Sequence, residues 1–232
     1  MVKTTILQHS DIVVFQRCPL LFNKFHNHQN PISQIERNIR NCIERVFFEN
    51  MRVENIPDIR PLLTYWGKNL DTTNARDGST MLLGLKDFFD QFKKTFKDEL
   101  QTVAINFTAD FDVSRGTYRA IIPALMVQKK QNKIIPVMFS TKPELYIRDN
   151  EFRFALAALN AALRYTIRDL YVIKIQARVA LSTSVNLFHV SDSYIQRASQ
   201  DLESIVNLIG RDYNVPNTDS CKTCQFINQC KF

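Results

Sequence analysis

Residues 103–113 read VAINFTADFDV, with an apolar side chain at every second position. This strict alternation predicts a β-strand with one buried face. The polar turn SRG at 114–116 ends the strand. Two further strands are predicted at 118–128 and 133–139, joined by the polar turn KKQN. Three consecutive strands therefore form the centre of the predicted fold.

Helical periodicity precedes these strands. Ser10 is expected to cap a short helix. Apolar residues between Ile35 and Phe47 recur at spacings of three and four, which predicts an amphipathic helix. Residues 55–78 read as a short helix followed by a loop. A phenylalanine-rich helix should then begin at Met81, and its apolar stripe indicates a core-facing surface.

The segment after the three strands alternates helix and strand. The pattern predicts a helix at 150–165, strands at 170–180 and 185–190, and a helix at 194–209 with one apolar face. The expected fold class is therefore α/β (α+β), with a central mixed sheet flanked by helices.

The length of 232 residues and an apolar content of 45% suit one globular domain over 1–232. Its expected parts are a mainly helical segment at 1–100, a sheet core at 101–190, and a helix with a cysteine loop at 191–232. No apolar stretch approaches the length that crosses a bilayer, and the start has no secretory signal. We therefore expect a cytoplasmic protein that does not contact membranes.

The cysteines suggest a metal site. The segment SCKTCQFINQCKF holds Cys221, Cys224 and Cys230, and Cys18 lies far away in FQRCPLLF. A CxxC pair with a third cysteine nearby is typical of a thiolate site for one ion or cluster, and Cys18 is the best fourth ligand. Four thiolates suit zinc as well as an iron–sulfur cluster. Five cysteines without a secretory signal do not favour disulfides.

The stretch SDIVVFQRCPLLF at 10–22 resembles the amino-terminal signature of RecB-like nucleases that carry an iron–sulfur cluster, a group that includes the CRISPR-adaptation exonucleases and the AddB nuclease domain. The resemblance implies a PD-(D/E)XK restriction-endonuclease-like core. It also implies that a [4Fe-4S] cluster, with zinc as the alternative occupant, is held by Cys18, Cys221, Cys224 and Cys230.

The same resemblance implies a metal-dependent active site, and this sequence departs from it. The positions that match the acidic residues of the two strands are Pro123 and Met138, the lysine position is Ser140, and the early histidine position is Cys42. No aspartate or glutamate occurs between Gly116 and Lys142. Two adjacent strands without carboxylates cannot hold magnesium in the usual way, so we expect the catalytic residues to be lost.

Other acidic and histidine residues leave alternatives open. Asp110 and Asp112, or Glu144, could rebuild a metal site, although the two aspartates are expected on the solvent face of their strand. His26 and His28 could join Cys18 in a second metal site or lie in a solvated loop. His189 stands alone in a strand and is expected to be structural.

The formal net charge of +7 is compatible with phosphate binding. Lys129, Lys130 and Lys133 form a cluster at the predicted hairpin tip. Arg153, Arg164 and Arg168 are expected to share one helix and to offer a basic stripe. The five glycines form no phosphate-cradling loop.

These features predict a catalytically inactive iron–sulfur protein of nuclease-like fold. Its expected role is that of a DNA-binding or scaffolding subunit in replication, recombination or transcription, with single-stranded DNA or strand ends as the ligand. Two alternatives are an active metal-dependent DNA exonuclease with relocated acids and a protein-interaction platform that ignores DNA. A composition rich in Asn, Ile, Lys and Phe hints at a viral origin, and hence at the host cytoplasm.

Overall fold

The structure is a computed structural model. It describes residues 5–19, 34–50, 64, 75–95, 100–142, 144–176, 182–209, 211 and 221. In this part of the chain a six-stranded mixed sheet carries helices on both faces. The predicted α/β class, with its order of helix, three strands, helix and strand, is confirmed.

The six strands follow the predicted pattern, with one addition at the start of the chain. They are β1 (Thr5–Leu7), β2 (Leu100–Val113), β3 (Gly116–Gln128), β4 (Lys133–Ser140), β5 (Asp169–Gln176) and β6 (Ser182–His189). The sheet order is β1-β3-β4-β5-β6, and β2 pairs with β3. The β1–β3 and β4–β5 pairs are parallel, and the others are antiparallel.

The two edges of β3 are used differently. Along one edge β2 pairs from Gly116 to Gln128. The other edge is shared, because β1 pairs with Gly116–Tyr118 and β4 pairs with Ala124–Gln128. Between these two ladders, among the strands that the structure describes, residues 119–122 pair only with β2. The sheet therefore contains a fork between β1, β3 and β4.

The helices are α1 (His9–Arg17), α2 (Gln34–Cys42), α3 (Phe48–Asn50), α4 (Ala75–Thr95), α5 (Asn150–Leu163) and α6 (Asp192–Ile209). A π-helical turn at Ile43–Phe47 joins α2 to α3. The helix α5 connects the parallel strands β4 and β5, since parallel neighbours require a crossover. This crossover returns the chain across the sheet face beside the fork.

Two apolar cores cover the two faces of the sheet. In the first core, α1, α5 and α6 pack on Tyr118, Ile122 and Met138. In the second core, α2, α3 and α4 pack on Val137, Phe139 and other strand residues. Met138 and its neighbours point to opposite sides because successive strand residues alternate. The predicted phenylalanine stripe belongs to the second core through its described members, which include the buried Phe88 and Phe92.

Four local predictions were wrong. The N-cap of α1 is Gln8 and not Ser10, because β1 delivers the chain to the helix two residues earlier, and Asp11 accepts a hydrogen bond from the Gln8 N–H at 2.7 Å. The helix α4 begins at Ala75, inside the segment read as loop. The helix α5 ends at Leu163, and Arg164 is its left-handed C-cap with φ 51°. Arg164 and Arg168 therefore do not share a helix with Arg153.

In the described part of the chain, none of the helices is both long enough and apolar enough to span a bilayer.

A buried carboxylate ties three strands together. The side chain of Asp169 in β5 is only 5% exposed and forms an ion pair with Lys133 of β4. Its second oxygen lies 2.6 Å from Nδ1 of His189 in β6. This arrangement agrees with the structural role expected of His189. Since a buried charge is costly without partners, the two contacts keep Asp169 compatible with the core.

Replacing Asp169 by asparagine should lower the free energy of unfolding by about 2–3 kcal/mol, because Lys133 and His189 lose a charged partner. The matched control is Asp192→Asn, which removes an ion pair with Arg168 whose two side chains are 51% and 63% exposed. Exposed pairs contribute less than about 1 kcal/mol. Urea titrations of the three proteins measure the effect, and equal losses in both variants would contradict this account.

Candidate functional site

The fork in the sheet opens into a pocket of about 160 Å³. Tyr118, Arg119, Ala120 and Ile121 line it from β3, and Met138 lines it from β4. The start of α1 closes one side with Gln8, His9 and Ser10, and the first turns of α5 close another with Glu151 and Ala155. The pocket thus gathers residues from four elements around the unpaired edge of β3.

His9 is the least satisfied polar group of the pocket. Its Nδ1 is buried and has no hydrogen-bond partner among the described residues. Burial, together with the positive charge of Lys142, lowers the pKa of His9 to about 4, against a smaller opposing effect of Asp149. The imidazole is therefore neutral at physiological pH, with one nitrogen available as an acceptor and the other as a donor.

Glu151 is the carboxylate of the pocket. Burial raises its pKa, while the charges of Lys142 and Arg40 act in the opposite direction. The ammonium group of Lys142 lies 2.9 Å from a carboxylate oxygen of Asp149, the N-cap residue of α5. Lys142 is therefore already paired, and Glu151 lies near charges that partly compensate for its burial.

The four positions that match catalytic residues of the resembled family are dispersed. Met138 lines the pocket, whereas Pro123 and Ser140 are buried in their strands and are not part of the lining. The hydroxyl of Ser140 accepts a hydrogen bond from the Lys142 N–H at 3.2 Å. Cys42 packs in the second core, on the other face of the sheet, where burial raises its pKa to about 12.

The acids that could have rebuilt a metal site do not converge on the fork. Asp110 accepts two hydrogen bonds of 2.8 Å from the Arg119 guanidinium, and this contact lowers the pKa of the aspartate. Asp112 accepts a hydrogen bond from Thr117 at 2.7 Å. Glu144 is exposed and accepts one from Tyr146. The described residues contain no group of three or more histidine, cysteine or acidic side chains arranged to hold a metal ion.

Two of the four predicted cluster ligands lie in the described part of the chain. Cys18 follows the last residue of α1 and is 8% exposed in the first core, which it shares with Val206 and Ile209 of α6. Cys221 is half-buried. Cys224 and Cys230 lie outside the described residues, as do His26 and His28.

The predicted basic residues are spread over the surface and do not form a stripe. Arg153 forms an ion pair with Asp201 of α6, and its guanidinium lies 5.9 Å from the ring centre of Phe154. Arg168 binds both carboxylate oxygens of Asp192. Arg164 is exposed beyond α5, and the hairpin tip exposes Lys129 and Lys130.

No protein-family model matches the sequence, and neither does any curated protein sequence. Among solved structures, the chain is similar to a candidate exonuclease from Eubacterium rectale, with a TM-score of 0.53 and 10% identity, covering 98% of this chain and 88% of that one. A second similar structure is SSO0001, with a TM-score of 0.38 and 11% identity, covering 99% of this chain and 88% of that one. The first likeness shows that the fold is nuclease-like.

Sequence reasoning missed His9 and Glu151, which line the pocket. His9 escaped because β1 has only three residues, and such a short segment has no readable alternation. Glu151 escaped because it reads as an ordinary acid in the first turn of a helix. One feature of the sequence could have indicated them. Both residues lie in the first turn of a helix that follows a strand, and such helix starts lie near the end of the sheet.

Replacing Glu151 by glutamine should stabilise the protein at neutral pH. Because the pKa of Glu151 is raised in the folded state, the folded chain binds this proton more tightly than the unfolded chain does. The stability that this proton contributes is fully present below the ordinary glutamate pKa of 4.5 and decreases as the pH rises above that value. Glutamine carries no charge, so the advantage of the variant should be largest at pH 7 and disappear below 4.5.

Urea titrations of wild type and Glu151→Gln across this pH range measure the difference. The control Glu203→Gln alters an exposed carboxylate of α6, and its stability difference should stay within about 0.5 kcal/mol at every pH. A Glu151→Gln variant that is less stable than wild type at pH 7 would contradict the burial argument.

Proposed function

We propose that this chain is a nuclease-fold protein that binds single-stranded nucleic acid without cleaving it. The observation that carries the proposal is the composition of the fork. The strand residues that line it are Tyr118, Arg119, Ala120, Ile121 and Met138, and none of them is a carboxylate. Metal-dependent phosphate hydrolysis needs acidic ligands that hold one or two cations beside the scissile bond.

The remaining acids support the same proposal. Glu151 is the single carboxylate in the lining of the fork. Asp110 and Asp112 hold partners on their own hairpin, and Glu144 is exposed. One carboxylate is the lower limit for a magnesium site, which usually uses one or two carboxylates together with substrate phosphates and several waters. Burial also raises the pKa of Glu151, which disfavours the charged form that a cation needs.

Nucleic-acid binding is supported by charge and by fold. The net charge of +7 favours contact with a polyanion. Lys129, Lys130 and Arg164 are exposed and therefore accessible to phosphates. Arg153 and Arg168 would have to exchange their aspartate partners for phosphate, so their contribution is smaller than a free basic stripe would give. The role that follows is a DNA-binding or scaffolding subunit of a nucleic-acid-processing complex.

We also propose that the chain holds a [4Fe-4S] cluster on Cys18, Cys221, Cys224 and Cys230. In support, the core around Cys18 includes the last turn of α6, and the cysteine segment follows that helix in sequence. Thiolates are the ligands that such clusters and zinc prefer. Cys42 is unsuited because its raised pKa keeps the thiol protonated. The cluster would be structural and would link α1 to the carboxyl-terminal segment.

Binding and cleavage should separate in one sample. Anaerobically purified protein is mixed with a fluorescent single-stranded oligonucleotide in the presence of Mg²⁺ or Mn²⁺, and anisotropy and strand length are followed together. We expect salt-dependent binding with intact strands. Strand degradation that disappears in Glu151→Gln would establish an active nuclease instead, and the absence of binding at low salt would favour a protein-interaction platform.

Cys18→Ala should lose the cluster, whereas the control Cys42→Ala should keep it. Iron, sulfide and zinc analysis with an absorbance spectrum measures this, and wild type is expected to contain about four irons per chain. A zinc-loaded wild type, or full iron content in Cys18→Ala, would contradict the proposed ligand set.

A further inference from the structure

The pocket at the fork has an apolar wall and a polar edge. Ala120, Ile121 and Met138 contribute apolar surface. The polar part of the lining includes His9 and Glu151 together with Gln8, Ser10 and Arg119. The neutral His9 has a buried Nδ1 without a protein partner. A buried nitrogen without a hydrogen-bond partner is unfavourable, and a suitable ligand can supply that partner.

The charges of the pocket argue against a phosphate as its ligand. Arg119 is the cation in the lining, and its guanidinium is bound by both carboxylate oxygens of Asp110 at 2.8 Å. A phosphate in the pocket would therefore meet the Glu151 carboxyl group without an unengaged cation to offset it. An uncharged ligand with N–H donors avoids this repulsion, because Glu151 can accept its hydrogen bonds.

The size of the pocket restricts the ligand further. Its volume of about 160 Å³ is close to that of a cavity of about 150 Å³ that binds benzene. Pockets for drug-sized molecules are larger, at about 300–1,000 Å³. The space therefore suits a single planar ring system lying against the apolar wall, with its polar edge toward His9 and Glu151.

We propose that this pocket binds one unpaired nucleobase of the single strand. The base lies against Ile121 and Met138, its exocyclic or ring N–H groups donate to Glu151, and His9 completes the polar edge. Enzymes that accept flipped bases use the same combination of apolar contact and hydrogen bonds to the base edge. This inference rests on the proposed nucleic-acid binding and adds that the bases contribute to it.

The test compares two strands of equal length and charge, one with normal bases and one built entirely of abasic residues. Wild type should bind the normal strand about tenfold more tightly, because one well-held base contributes at least this much. In Glu151→Gln and in His9→Phe the ratio of the two dissociation constants should fall toward one. The exposed control Glu203→Gln should keep the wild-type ratio.

The outcomes separate the two proposals. Equal affinity of wild type for both strands overturns the base pocket and leaves nucleic-acid binding intact. A wild-type ratio that persists in both pocket variants also overturns it, because the bases would then bind elsewhere. If neither strand binds, the proposed function itself is overturned. Circular dichroism and unfolding midpoints check that each variant is folded, and Glu151→Gln should fold because it removes a buried charge.

Discussion

The divided edge of β3 is the constraint on which the rest of the structure depends. Strand β3 pairs with β1 at its beginning and with β4 at its end. The strand β1 is parallel to β3, whereas β4 is antiparallel to it. Among the strands that the structure describes, the backbone between them pairs with β2 alone, so a gap opens in the sheet. Residues 118–121 of β3 line the pocket that this gap leaves.

The crossover between β4 and β5 completes the site. Because these strands are parallel, α5 must return across the sheet, and it starts beside the gap with Asp149, Asn150 and Glu151. The short strand β1 places the start of α1, whose first residue is His9, beside the same gap. Two helix starts thus meet at the fork, and they bring His9 and Glu151 into its lining. The chemistry of the pocket therefore comes from the helices, while β3 and β4 supply its mainly apolar wall.

Much of the fold could be predicted because it is encoded locally. The alternation at 103–113 gives β2 correctly, and the turns at 114–116 and 129–132 give the strands that follow. The prediction that Arg153, Arg164 and Arg168 share one helix was wrong, and the sequence pattern gave no sign of it. The side chain of Asn160 accepts a hydrogen bond from the Ile167 N–H at 2.7 Å. This contact stabilises the turn that follows α5, so the helix ends before Arg168. Such a contact joins residues seven positions apart and leaves no periodic signal.

For the candidate site, the sequence showed which residues are missing but did not reveal the pocket. The absence of acids on two adjacent strands is visible in the letters between Gly116 and Lys142, but the pocket that remains is built from pairings between distant segments. The strand residues that line the fork include no carboxylate, and metal-dependent hydrolysis of phosphates relies on such ligands.

The most direct measurement is an anomalous-difference map from crystals grown with a single-stranded oligonucleotide and Mn²⁺. The account predicts a base beside His9 and Glu151 and no manganese peak in the fork. One or two manganese ions bound there, next to a phosphate of the strand, would contradict it.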